Sequence, residues 1–189
     1  RSLLLRGRKL DAPAKQQQEA AITLAKDFLN EHPNSPQVSV VLAQLLAFSG
    51  DQAGAISTLE AAAAKSPGDP RVVGTLAQFY QGTDPSKAEA VLKAATAAAT
   101  DKGDALARLA EFYEQTGRIT DAIATWKQML AVPVTGGGLA ALKGDQLQTT
   151  GMAAISWLDM DVVEQSGLQS EDGKTALAEA KSYDDQLRQ

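Results

Sequence analysis

Most protein bases, nucleophiles and soft metal ligands are histidine or cysteine. This chain of 189 residues holds one histidine, His32, and no cysteine. Thiolate chemistry and a disulfide framework are therefore excluded, although the lack of cysteine does not decide the compartment. His32 lies in the run His32-Pro33-Asn34-Ser35-Pro36 and reads as a surface turn residue. The remaining candidates are carboxylates. Asp159 with Asp161, and Asp184 with Asp185, are close in sequence but point to divergent faces of a helix. Glu111 and Glu114 share a face at i, i+3, but no third acidic or histidine ligand accompanies them, so they read as a solvated surface. Gly136-Gly137-Gly138 lacks the preceding strand and following Lys-Ser/Thr of a phosphate loop. No catalytic residue, metal site or cofactor is expected, and the chain does not read as an enzyme.

The elements that would position these groups are clearest at 104–130. Leu106, Leu109, Ala110 and Tyr113 recur at i, i+3, i+4 and i+7, which predicts one apolar helix face. Gly117 breaks that helix, and Thr120 is expected to cap the next. Ala122, Ile123, Trp126 and Met129 give the second helix its face. Two such helices make an αα-hairpin, and neither buries its apolar face alone. The pattern recurs upstream in Leu42, Ala43, Leu46, Gly50, Ala55, Ile56 and Leu59, and again in Leu76, Ala77, Tyr80, Ala88, Leu92 and Ala95. The small residues Ala43, Ala77 and Ala110 are 34 and then 33 positions apart. The middle hairpin has a compressed turn, Gly82-Thr83-Asp84-Pro85, with Asp84 expected as N-cap and Pro85 at the first helical position.

This order of large residue, small residue, Tyr, Gly, then Ala, Leu or aromatic, Ala and a closing Pro resembles the tetratricopeptide repeat, chiefly over 14–130. The resemblance implies an all-α, right-handed superhelical solenoid of antiparallel hairpins with a C-terminal capping helix. It also implies a protein–protein interaction scaffold whose partner binds the concave wall formed by the first helix of each hairpin. Carried onto this sequence, the groove positions include Gln37, Val40 and Gln44 in the first hairpin. Arg71, Gln78 and Gln81 follow in the second, and Arg108, Glu111 and Glu114 in the third. Family members that hold a chaperone's C-terminal carboxylate use Lys and Asn there. This chain has Val40 and Gly74 where cations would stand, and Glu111 opposes, so a carboxylate clamp is not expected. A peptide carrying amides and some positive charge fits better. Residues 22–130 also resemble, more distantly, the tetratricopeptide domain of the large signal recognition particle subunit. That likeness implies a ribonucleoprotein subunit that binds a partner subunit.

The plan along the chain is a partial repeat at 1–35, three hairpins at 36–132 and a Gly-rich linker at 133–138. A degenerate fourth hairpin at 139–166 and a capping helix at 167–189 complete it. Trp157, Met160 and Val163 are expected on the second apolar face of that fourth hairpin. The N-terminal run RSLLLRGRKL reads as the end of a truncated first helix, and exposed Leu3, Leu4 and Leu5 would favour self-assembly into a structural oligomer. A net charge of −5 argues against a direct nucleic-acid grip, which needs a basic stripe. No apolar run approaches the ~20 residues of a membrane span, so a soluble protein, cytoplasmic or periplasmic, is expected.

Overall fold

A computed structural model describes residues 12–133 and 139–188. The N-terminal leucines and the Gly136–Gly138 linker lie outside these residues. The described residues are helical, with α1 Ala12–Glu31, α2 Pro36–Phe48, α3 Gln52–Lys65, α4 Pro70–Gln81 and α5 Pro85–Ala98. These are followed by α6 Lys102–Gln115, α7 Ile119–Leu130, α8 Leu139–Ser166 and α9 Glu171–Leu187. Two compact units, Arg1–Ala88 and Glu89–Gln189, divide the chain inside α5.

In the first unit α1 packs on α2, α2 on α3, and α4 on both α2 and α3. Alanine sets the spacing: Ala43 of α2 and Ala55 of α3 are both 0% exposed. Leu42, Leu46, Leu59, Val72 and Leu76 fill the space around them. The α2–α3 turn closes at Gly50, which has φ 94°. The Gly50 N–H donates to the Ala47 carbonyl and the Asp51 N–H to the Leu46 carbonyl, a Schellman closure that requires a left-handed residue. Asp51 then caps α3 by accepting from the Gly54 N–H at 2.8 Å. After α4 the closure differs, because Gly82 has φ −80° and no left-handed residue is present. The Thr83 and Asp84 N–H groups both donate to the Tyr80 carbonyl, and the Asp84 carboxylate accepts from the Lys87 N–H at 3.2 Å. Tyr80, though buried, keeps its hydroxyl satisfied by donating to Glu60 on α3.

The second unit repeats the scheme. α7 packs on α6, and Ala110 and Ala122 are again 0% exposed. Gly117, φ 72°, closes the α6–α7 turn with the same pair of bonds, from the Gly117 N–H to Glu114 and from the Arg118 N–H to Tyr113. Helix α7 resumes at once, so Thr120 is not its cap. Arg118 occupies that position without a side-chain cap bond. The Tyr113 hydroxyl donates to Glu89 on α5 at 2.9 Å, one repeat after the Tyr80–Glu60 bond.

The expected hairpin at 139–166 is instead one continuous helix of 28 residues, α8. Gly151, which that hairpin would need at its turn, sits mid-helix where α8 crosses α7. A Cβ there would lie 2.5 Å from Met129 Cε and 3.3 Å from both Leu130 and Trp126. The glycine thus allows close helix approach and does not bend the chain. α8 packs on α7 and α6 as α4 packs on α3 and α2, so it stands as the next first helix. Its second helix is α9, reached through Gly167 at φ 83°, with Ser170 capping α9 by accepting from the Gly173 N–H at 2.9 Å.

Substituting Gly151 with leucine should lower stability by about 1–3 kcal/mol through overpacking against Met129 and Trp126. Urea unfolding checks this. A mid-helix glycine with open space beside it would instead gain up to about 1 kcal/mol from leucine's higher helix propensity.

Candidate surfaces on the first helices

Within the first unit, Gln37, Gln44, Arg71 and Gln78 are exposed, and Val40 and Gln81 are partly buried. Gln37 and Arg71, on α2 and α4, are drawn together. The Gln37 side-chain oxygen accepts from both terminal guanidinium nitrogens of Arg71 at 3.1 and 3.3 Å. Arg71 also stands 3.8 Å from Asp69. Val41, a groove position of the first hairpin by the same resemblance, and Phe48, which that assignment omits, complete the outer stripe of α2. Val41 is 49% exposed and Phe48 is 69% exposed, so Gln37, Val41, Gln44 and Phe48 follow i, i+4, i+7 and i+11.

In the second unit Arg108 and Glu111 are exposed and Glu114 is partly buried. Glu114 is engaged, since its carboxylate accepts from the Trp126 indole N–H at 2.5 Å. Surrounding protein raises the Glu111 carboxyl above its usual range. Arg108 opposes this, and the nearby Glu114 adds to it. Asp104 forms an ion pair with Lys143 of α8, which joins the first helices α6 and α8 as Gln37 and Arg71 join α2 and α4.

The other carboxylates disperse. Asp184 pairs with Arg188 at 2.9 Å, and Asp185 is exposed. Asp161 is partly exposed, whereas Asp159, two residues before it, is only 3% exposed and its Oδ2 has no hydrogen-bond partner. Burial lifts Asp159 to about 6, Glu179 adds to the rise, and Lys127 opposes it. Lys127 is itself held by Glu179 at 2.7 Å. Glu89 is the reverse case, drawn down to about 2 by Lys93 and Arg118, with Tyr113 also donating to it. His32 is exposed and stacks against Phe28 at 4.6 Å between ring centroids. Among the described residues no three His, Cys, Asp or Glu side chains converge as metal ligands.

Trp157 and Met160 do not join a buried face. They are 78% and 47% exposed, and only Val163 of the three enters the core. With α8 unbroken, residues 157 and 160 fall opposite the stripe Ile155, Leu158 and Val163 that packs inward. Among the described residues no helix is long and apolar enough to cross a membrane.

The sequence model of the tetratricopeptide repeat family matches residues 14–79 and 80–133. Among solved structures, a crystal structure of MamA protein is 19% identical, covering 92% of this chain and 82% of that one with a TM-score of 0.54. A second crystal structure of MamA is 17% identical over 96% of this chain and 99% of that chain, TM-score 0.52. MamA 41-end from Desulfovibrio magneticus RS-1 is 18% identical over 90% and 85%, TM-score 0.51. At these identities the likeness speaks for the all-α repeat fold alone. No curated protein matches the chain.

Asp159 and Glu89 bend the stability profile in opposite directions. Asp159, raised above its unfolded value of 3.8 to about 6, contributes stability that is full below 3.8 and lost as pH climbs through 6. Glu89, lowered from 4.5 to about 2, contributes stability present above 4.5 and lost as pH falls through 2. Asp159→Asn should therefore raise stability relative to wild type by on the order of 2 kcal/mol at pH 7 and by little at pH 4. Denaturation at the two pH values checks it.

Proposed function

The chain belongs to the tetratricopeptide repeat family, and we propose that it works as a non-enzymatic scaffold that holds a protein or peptide partner on the exposed faces of its first helices. The observation that carries this reading is the α2 stripe of Gln37, Val41, Gln44 and Phe48. It offers two amides and two open apolar side chains on one rigid helix. Amides at that spacing exchange hydrogen bonds with a peptide backbone, while Val41 and Phe48 take up apolar side chains. Arg71, tied to Gln37, fixes the edge of the surface and presents a cation beside the amides. In the second unit the α6 face carries the exposed Glu111, its carboxyl raised by the protein around it, beside Arg108. A positively charged side chain from a partner would favour the ionised form of Glu111, so that face suits a basic residue. Carboxylate capture is disfavoured, because Val40 and Gly74 provide no cation.

The triple variant Gln44→Lys, Gln78→Lys and Glu111→Lys alters these faces without touching the buried stripes. Affinity capture from the native lysate, wild type beside variant, should yield a protein retained by the first and lost by the second. Circular dichroism should show unchanged helicity. Equal capture by both forms would move the binding site away from the first helices.

A further inference from the structure

The second unit carries an apolar surface on α8 that is separate from the α2, α4 and α6 residues on which the proposed function rests. Trp157 is 78% exposed, Met160 is 47% and Leu168 is 56%. Together with Val163 they border an open cleft of about 720 Å³ at the end of α8 and its turn into α9. The cleft's polar rim is one-signed, since Asp161 and Glu164 line it and no Lys or Arg does. Neither carboxylate enters an ion pair among the described residues. A tryptophan left this open on a rigid helix, with apolar neighbours and uncompensated carboxylates, has the makeup of a docking site for a basic apolar segment.

The sequence contains such a segment. Residues 1–10 hold Leu3, Leu4, Leu5 and Leu10 among Arg1, Arg6, Arg8 and Lys9, with no acidic residue. Leucines match the Trp157–Met160–Leu168 surface, and the four cations match Asp161 and Glu164. We infer that the basic, leucine-bearing segment 1–10 of one copy docks in the Trp157–Met160–Leu168 cleft of a second copy. The contact is heterologous, each chain offering a donor segment and an acceptor cleft. It uses none of the α2, α4 and α6 residues on which the proposed function rests.

Sedimentation velocity of the full chain, from low micromolar concentration upward by two orders of magnitude, tests this. Wild type should associate with rising concentration, more weakly at high salt. Trp157→Ala should weaken association at least tenfold, as truncating a central aromatic anchor does, with helicity unchanged because the side chain is exposed. The triple change Leu3→Asp, Leu4→Asp and Leu5→Asp should do the same. Each variant alone should associate only weakly, whereas an equimolar mixture should form a dimer, because one supplies an intact segment and the other an intact cleft. A wild type that stays monomeric overturns the proposal, as does association that survives Trp157→Ala. A mixture that fails to recover association overturns it too. Concentration-independent protection of the segment from trypsin, abolished by Trp157→Ala, would place the segment on its own chain and equally overturn docking between copies.

Discussion

Close approach of two helices at an alanine pair is the constraint on which the rest of this protein depends. Ala43 and Ala55, on the packed helices α2 and α3, and Ala110 and Ala122, on α6 and α7, retain no exposed surface. Buried residues no larger than a methyl group permit helix axes to approach the short end of the usual range of about 8–10 Å. The larger side chains are then pushed to the flanks, where Leu59, Leu76 and Trp126 bury completely or nearly so. A short, rigid hairpin leaves its remaining face for the next hairpin, and the repeated spacing follows. The turns must be equally tight, which is why Gly50 and Gly117 adopt a backbone conformation that a side chain would resist.

Polar ties then fix the register that apolar packing alone would leave loose. Tyr80 and Tyr113 look like core residues by position, and their rings are buried. Each hydroxyl needs an acceptor, and the preceding second helix supplies one, Glu60 in the first unit and Glu89 in the second. The cost appears in the phenols themselves. Tyr80 is pushed up to about 12, its bond to Glu60 being the leading cause. Asp159 shows the same demand unmet, with a carboxyl oxygen that lacks any partner beside the Lys127–Glu179 pair.

Much of this was legible in the chain, and the gaps have physical causes. Helical periodicity located α2 through α7, because a face buried against one neighbour repeats every three to four residues. The exposed first-helix residues were legible for the same reason, since they are what the buried stripe leaves over. Glycine was the ambiguous letter. At positions 50 and 117 it makes a turn, whereas at 151 it accommodates Met129 and Trp126 across a helix crossing, and nothing local distinguishes these uses. Reading Gly151 as a turn cut α8 in two and assigned Trp157 and Met160 to a core they do not enter. Thr120 failed as a cap because Gly117 and Arg118 close and restart the chain before it is reached. The α4–α5 turn was located correctly, yet its closure by Tyr80 and Asp84 without a left-handed residue depends on backbone geometry that composition does not encode.

The chain's two tryptophans occupy opposite environments. Trp126 is 1% exposed, with its indole N–H held by Glu114, and Trp157 is almost bare to solvent. An indole in a dry, rigid pocket emits at shorter wavelength than one surrounded by relaxing water, so the protein carries two separable optical signals. The short-wavelength signal follows the integrity of the α6–α7 hairpin. The long-wavelength signal responds only to what covers the outer side of α8, so loosening of the core and occupation of the surface can be followed at once in an unlabelled sample.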